Sequence, residues 1–124
     1  MTQATPNYSN LTFLDLRLAN VERCNIWHPK GIDSWSLSDW AVALAGEVGE
    51  TCDVIKKLNR YRDGLIGNSK PIEELYAQLA DEIADVQIYL DLLAARRGID
   101  LGAATVKKFD EVSRRNKFSI FLGA

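Results

Sequence analysis

The sequence is poor in the side chains that zinc proteins and redox proteins rely on. It has one histidine and two cysteines among 124 residues. Cys24 and Cys52 lack CxxC spacing, so the sequence gives no indication of a zinc site or a dithiol redox centre. We expect both cysteines to be reduced thiols, buried or half-buried, in a cytoplasmic protein.

Long apolar runs and a strong excess of either charge are also missing. The formal net charge is −2, and no stretch approaches the roughly 18 apolar residues of a membrane span. Neither a nucleic acid polymer nor a membrane is therefore an expected partner. Residues 1–10 are polar, without a basic start and an apolar run, and do not resemble a signal peptide.

Helical periodicity is what the sequence has in abundance. Apolar residues recur at steps of three and four, which predicts an all-α protein: one domain over residues 1–124, folded as an antiparallel bundle of about four helices. About residues 1–10 form an N-terminal extension, and residues 116–124 a short tail. The first helix covers residues 11–26, the second runs from a cap at Ser36 or Ser38 to about Arg60, the third from a cap at Ser69 to about Arg97, and the fourth follows a cap at Asp100.

Two acidic pairs lie on the predicted apolar faces of the second and third helices. Glu47 and Glu50 are three residues apart, as are Glu82 and Asp85, so each pair shares one side of its helix. Carboxylates that face a core lose hydration and repel one another unless a cation joins them. Oxygen ligands alone favour Mg²⁺, with Mn²⁺ possible. The alternative for each pair is ordinary solvated charge.

Two further features of the sequence bear on this site. The only histidine, His28, falls in a predicted loop over residues 27–38, which argues against a histidine-containing di-iron centre. Gly46 and Gly49 lie one turn apart within a helix, where each costs about 1 kcal/mol relative to alanine. Close approach of a neighbouring helix or of a substrate would explain them.

Four other residues have both a functional and a structural interpretation. Trp27 could stack on a base or belong only to the loop, and Tyr89 could line a site or fill the core. Lys108 and Arg115 lie two turns apart on the fourth helix, where they could bind phosphate or form a solvated basic face.

The two acidic motifs and their flanks resemble those of the MazG-like, all-α nucleoside triphosphate pyrophosphohydrolases. The motifs are Glu47-Val48-Gly49-Glu50, after Ala43-Leu44-Ala45-Gly46, and Glu82-Ile83-Ala84-Asp85, before Val86-Gln87-Ile88-Tyr89-Leu90. The likeness covers roughly residues 12–118 and is greatest to the small dCTP-pyrophosphatase-like and integron-type branch.

The resemblance implies an enzyme of nucleotide-pool house-cleaning. It would hydrolyse a (deoxy)nucleoside triphosphate between the α and β phosphates, giving a monophosphate and pyrophosphate. Glu47, Glu50, Glu82 and Asp85 would hold Mg²⁺ on the triphosphate, and Glu47 or Glu50 would assist as a base.

The resemblance also implies substrate-binding residues and an assembly. Trp27 would stack on the base, Tyr89 would follow the last acid by one turn, and Lys108 and Arg115 would neutralise phosphate charge. Members of the family form homodimers or homotetramers whose subunits complete one another's sites.

The chain also departs from the dCTP branch. Lys57 replaces a tryptophan and Val112 an asparagine, so the preferred base stays open. Two alternatives remain: a phosphoribosyl-ATP pyrophosphohydrolase, and a non-catalytic helical module that binds nucleotide or a protein partner.

Overall fold

The computed structural model describes residues 7–123 and consists of four α-helices and one short 3₁₀ helix. The helices are α1 (Phe13–Trp27), α2 (Leu37–Arg62), α3 (Ile72–Arg96) and α4 (Leu101–Arg115), with the 3₁₀ helix at Gly31–Ser34. No strand occurs within the described range. The predicted all-α class and the number of helices are confirmed.

Capping side chains fix where three of the helices begin. Thr12 and Asp15 form a reciprocal capping box at the start of α1, and Ser36 and Asp39 form another at the start of α2. The Asp100 carboxylate accepts a hydrogen bond from a backbone N–H in the first turn of α4. The expected caps at Ser36 and Asp100 are therefore confirmed.

The third helix begins later than expected. Pro71, rather than Ser69, stands at the N-cap of α3, and no side chain caps this end. The prediction of a Ser69 cap was wrong because Pro71 holds an extended backbone there (ψ 150°), so the helix starts only after the proline.

The predicted loop over residues 27–38 is more ordered than expected. Gly31 has a φ of +59°, which strains other residues, and a Cβ at this position would lie 2.2 Å from the Asn25 side-chain oxygen and displace it. The Trp40 indole N–H donates to the Ile32 carbonyl over 3.2 Å, and Arg96 Nε donates to the Trp35 carbonyl over 2.7 Å. This segment is thus attached to both α2 and α3.

The longest helices, α2 and α3, pack side by side, α1 packs on α3, and α4 makes its main contacts with α1. The core is small. Its fully buried apolar side chains are Cys24, Trp40, Val54, Leu75, Leu92 and Ala94. Cys24 is buried as expected, but Cys52 is exposed on α2, which corrects its prediction as a buried or half-buried thiol.

Much apolar surface is left uncovered in the single chain. The accessible area is 9376 Å², whereas a compact monomer of this mass exposes roughly 6,700 Å². Large exposed side chains include Leu14 and Leu18 on α1, Val42 on α2 and Phe118 after α4.

The segment after α4 folds back onto that helix. Buried Asp110 accepts hydrogen bonds from the backbone N–H groups of Leu122 and Gly123, over 2.7 and 3.0 Å.

No helix between residues 7 and 123 is long and apolar enough to cross a membrane.

Candidate metal centre and adjoining pocket

The acidic residues lie on the faces that helical periodicity assigns to them. Along α2, Glu47 stands between buried Trp40 and Val54, and along α3, Glu82 follows buried Leu75 by two turns. Because α2 and α3 pack together, both glutamates are half-buried between the two helices.

Three carboxylates converge at this point. One oxygen each from Glu47, Glu82 and Asp85 lies within 4.8 Å of the other two. Oε2 of Glu47 and Oε2 of Glu82 are buried and have no hydrogen-bond partner in the described part of the chain. Buried carboxylate oxygens without donors are costly and rare in proteins.

The fourth predicted ligand, Glu50, is exposed and is not one of the three converging carboxylates, but it lies close enough to affect the pKa of two of them. Burial raises the pKa of Glu47, and a hydrogen bond to Glu50 and the charges of Glu50, Asp85 and Glu82 raise it further. Burial likewise raises the pKa of Glu82, followed by Glu50 and Asp85, while a hydrogen bond from Gln78 opposes the rise. The cluster therefore favours uptake of positive charge.

This donor set fits a divalent cation with a preference for oxygen. It offers carboxylates alone, with no nitrogen or sulfur ligand among the converging groups. A cation would supply the partner that the two buried oxygens lack. It would also cancel the repulsion that, in addition to burial, raises the pKa values of Glu47 and Glu82.

An aromatic pocket of about 440 Å³ opens beside the acids. Glu47 and Asp85 form part of its wall. Its ring-bearing lining residues are Trp27, His28, Trp35, Trp40 and Tyr89. The Trp35 and Trp40 ring centres are 4.6 Å apart, and the His28 ring meets Trp35 edge-on at 5.0 Å. Such a slot suits a flat ring system placed next to a cation-binding site.

The structure brings together most of the residues predicted for the site. Trp27 is 70% exposed at the end of α1, and Tyr89 is half-buried on α3; both line the pocket. Lys108 and Arg115 do not line it: both lie exposed on α4, and Lys108 Nζ is 3.6 Å from Glu111. Within one chain, these two cations are not part of the site.

Several residues of the pocket wall were not predicted from the sequence. His28 was expected to be a turn residue, but its ring packs among the tryptophans. Asn20, Arg23 and Cys24 line the pocket from α1 together with the predicted Trp27. Their spacing of three and four residues was the available signal, because it places them on one helical face.

The paired glycines find no close neighbour among the described residues 7–123. A Cβ added to Gly46 or to Gly49 would meet nothing within 4 Å. A neighbouring helix of the same chain therefore does not explain them.

No protein-family model matches this sequence. The chain is similar to dCTP pyrophosphatase 1 from Homo sapiens, with 42% identity over 74 residues that cover 60% of this chain and 42% of the relative. It is also similar to dCTP pyrophosphatase 1 from Mus musculus, with 36% identity over 81 residues, or 65% of this chain and 45% of the relative. The matched part thus spans less than half the length of these curated relatives.

Proposed function

We propose that this protein hydrolyses a nucleoside triphosphate to a nucleoside monophosphate and pyrophosphate with the help of a divalent cation. The observation that carries the proposal is the position of the carboxylate cluster directly beside the aromatic pocket. A nucleotide combines a polyphosphate, which binds divalent cations, with a flat base, which stacks on aromatic rings. The similarity to two dCTP pyrophosphatases supports the same reaction.

The residues that would hold the cation are Glu47, Glu50, Glu82 and Asp85. Mg²⁺ is the expected ion, with Mn²⁺ possible, since all four ligands offer oxygen. When bound, the ion neutralises phosphate charge and makes the phosphorus more electrophilic.

The acids also provide a base for the attacking water. In the proposed reaction, the water oxygen forms a bond to the α phosphorus, the bond from that phosphorus to the bridging oxygen breaks, and pyrophosphate leaves with the electron pair. Glu47 or Glu50 takes the proton that the water loses. A carboxylate pKa raised toward the working pH, as at Glu47, suits this role.

The pocket would bind the base. Trp27 offers a largely exposed indole, and Tyr89 lines the pocket one turn after Asp85 on α3. Stacking on aromatic rings contributes about 1–3 kcal/mol per base.

We further propose that the protein works as a homodimer or homotetramer. The uncovered apolar area and the open surface at Gly46 and Gly49 support contact with a second copy. Lys108 and Arg115 would then neutralise the phosphates in a neighbouring subunit, because α4 packs on α1 and leaves both cations facing outward.

A pyrophosphate-release assay tests the proposed reaction. The full chain is incubated with Mg²⁺ and each of the (d)NTPs, dCTP first, and with phosphoribosyl-ATP. We expect release with at least one triphosphate and loss of at least a hundredfold in Glu50→Gln. If the folded, metal-replete protein hydrolyses none of these compounds, a non-catalytic binding module is the better interpretation.

A further inference from the structure

The floor of the aromatic pocket contains a buried amide whose orientation is fixed. Asn20 on α1 is 3% exposed. Its Nδ2 donates to the Ile88 carbonyl over 3.2 Å and to Asp91 Oδ2 over 3.0 Å, both on α3. Asp91, itself 1% exposed, accepts a second hydrogen bond at Oδ1 from Arg17 Nε over 3.0 Å.

Neither partner of Asn20 allows its amide to turn over. A backbone carbonyl accepts hydrogen bonds only, and a carboxylate paired with arginine is likewise an acceptor. Rotation of the amide by 180° would place Oδ1 against two other oxygens, so Nδ2 must face α3. Arg17 also donates through Nη2 to the Ile99 carbonyl over 2.8 Å, which holds the guanidinium against Asp91.

The consequence is an acceptor directed to the pocket. Both hydrogens of Nδ2 are used, and Oδ1 has no hydrogen-bond partner among residues 7–123. Asn20 is one of the residues that line the pocket. In the free protein this oxygen can accept a hydrogen bond only from water, and a ligand that brings a donor would replace that water.

We propose that Asn20 is a specificity-determining residue, whose Oδ1 accepts a hydrogen bond from an exocyclic amino group of the base, and that Asp91 is the positioning residue that fixes this oxygen. The proposal rests on the proposed nucleotide function and assigns the class of base. Asp91 touches no substrate; it acts through the amide of Asn20.

The neighbours of Asn20 favour an amino group over the ring N–H of uracil or thymine. In those bases the ring N–H stands between two carbonyl oxygens, which need donors of their own. The pocket residues nearest along α1 and α3 are Cys24, Ile88 and Leu92, and none of them offers a strong side-chain donor. Arg23, also on α1, is the pocket residue near Asn20 that can donate to a carbonyl, whereas an amino group needs only the acceptor that Asn20 itself offers.

Matched nucleotides that differ only at this group test the proposal. Hydrolysis is measured for dCTP against dUTP and for dATP against dITP, and binding of the α,β-imido analogues of dCTP and dUTP is measured by calorimetry with Mg²⁺. We expect wild type to favour each amino-bearing member at least tenfold in kcat/KM and in affinity. In Asn20→Leu the preference should fall to within about twofold. Glu22→Leu, at an exposed position of α1 that does not line the pocket, should keep it.

A second variant addresses the positioning role and remains informative if Asn20→Leu does not fold. In Asp91→Asn the new amide can donate, so Asn20 can turn and present Nδ2 instead. The amino preference should then fall at least fivefold while kcat for dCTP changes far less. An unchanged preference in either folded variant, or no preference in wild type, overturns the proposal.

The two readouts separate this proposal from the function on which it rests. Hydrolysis of all four triphosphates without preference would overturn the role of Asn20 and leave the pyrophosphatase function standing. Selective binding of the dCTP analogue without hydrolysis of any triphosphate would support the role of Asn20 and contradict the enzymatic function.

Discussion

Glu47 and Glu82 each carry a buried carboxylate oxygen with no donor in the described part of the chain. The buried carboxylates of Asp91 and Asp110, in contrast, each accept two hydrogen bonds. A buried polar atom without a hydrogen-bond partner costs free energy of folding. Proteins retain such an atom where it has to bind a ligand. Without a cation, the carboxylates therefore repel one another at the place where the proposed cation binds.

Removing one of these charges should have opposite effects on stability and on metal binding. Glu82→Gln relieves repulsion, so we expect a higher melting temperature than wild type in EDTA. Wild type should gain about 2.7 kcal/mol, or roughly 10 °C, when Mg²⁺ with a non-hydrolysable nucleotide is present at a hundredfold above Kd. The variant should gain much less and should lose turnover, as should Glu50→Gln.

Thermal melts of both proteins, with EDTA and with Mg²⁺, measure these shifts. Asp81→Asn, an exposed acid next to Glu82 in sequence, serves as the control and should behave like wild type. Equal metal-induced shifts in wild type and Glu82→Gln would show that the acids are ordinary surface charges.

The raised carboxylate pKa values also predict a pH dependence of the metal-free protein. The folded state holds protons on Glu47 and Glu82 at a pH where the unfolded chain, with glutamates near their ordinary value, has lost them. The resulting contribution to the free energy of unfolding is fully present below about pH 4.3 and is lost as the pH rises through the raised pKa values. In EDTA, wild type should therefore gain stability relative to Glu82→Gln as the pH falls from 7.5 to 5.5.

Chemical unfolding at a series of pH values checks this difference. With Mg²⁺ present the trend should reverse, because protons compete with the cation for the same oxygens and the metal-induced gain shrinks near pH 5. If the free energies of unfolding of the two metal-free proteins changed in parallel with pH, repulsion within the carboxylate cluster would not be the cause.

Residues on a periodic face could be identified from sequence, whereas a residue fixed by distant partners could not. Glu47 and Glu82 fall on the apolar rows of their helices, so their inward position followed from counting. Asn20 depends on Asp91, 71 residues away, and no local pattern predicts such a pair. His28 was missed for the same reason, since its partners Trp35 and Trp40 meet it only through the turn at Gly31.

Among the structural elements, the 3₁₀ segment Gly31–Ser34 helps to shape the pocket, although its own residues do not line it. It places Trp35 against Trp40, and Arg96 fixes its end by donating to the Trp35 carbonyl. The Arg96 Nη1 atom also lies 3.5 Å from Asp33 Oδ1. One arginine on α3 thus holds one wall of the proposed base site.

Arg96→Met should therefore weaken substrate binding more than chemistry. Loss of a hydrogen bond from a charged donor costs about 1.5–3 kcal/mol at most, so we expect KM to rise roughly tenfold while kcat changes little. Steady-state kinetics on the best triphosphate measures both. Arg97→Met, at an exposed neighbouring position, should leave KM unchanged; a fall in kcat alone in Arg96→Met would place this wall in the catalytic step.

The bounds of the elements show what local chemistry can and cannot decide. Caps at Ser36 and Asp100 follow from side chains that bond their own backbone, and sequence identified them. At the start of α3, Ser69 was an equally acceptable cap, but the geometry of Pro71 prevailed. The order within residues 31–35 depends on Arg96 and Trp40, which are distant or belong to another element, so a loop was the natural expectation.

At the scale of the whole molecule, the single chain is incompletely covered. The acids and the pocket are assembled within one chain, while the predicted phosphate-binding cations on α4 face outward. The four-helix class and the antiparallel order were predictable from periodicity and short connections. Which surfaces meet a second copy was not, because an apolar residue that faces a partner has the same spacing as one that faces the core.

The open glycine face of α2 allows a test of the assembly. In an isolated chain, Gly46→Ala should stabilise the helix by about 1 kcal/mol, since nothing lies within 4 Å of the added Cβ. If a second copy packs here, bulk is harmful, and we expect Gly46→Leu to reduce a dimer or tetramer to a folded monomer. Light scattering and circular dichroism measure the two properties.

The exposed acid Glu73 on α3 offers a control position, and Glu73→Leu should leave the mass of the assembly unchanged if α2 forms the contact. A wild-type protein that is a stable, fully active monomer would reject the proposed assembly altogether.

The three tryptophans of the chain all line the same pocket. The intrinsic fluorescence of the protein therefore comes from the proposed base site, with no indole elsewhere to dilute it. Trp35 and Trp40, with ring centres 4.6 Å apart and planes inclined at 51°, are also close enough for their electronic transitions to couple. Occupancy of the pocket should consequently be visible by light alone, in emission and in near-ultraviolet dichroism, without a label on the protein or the nucleotide.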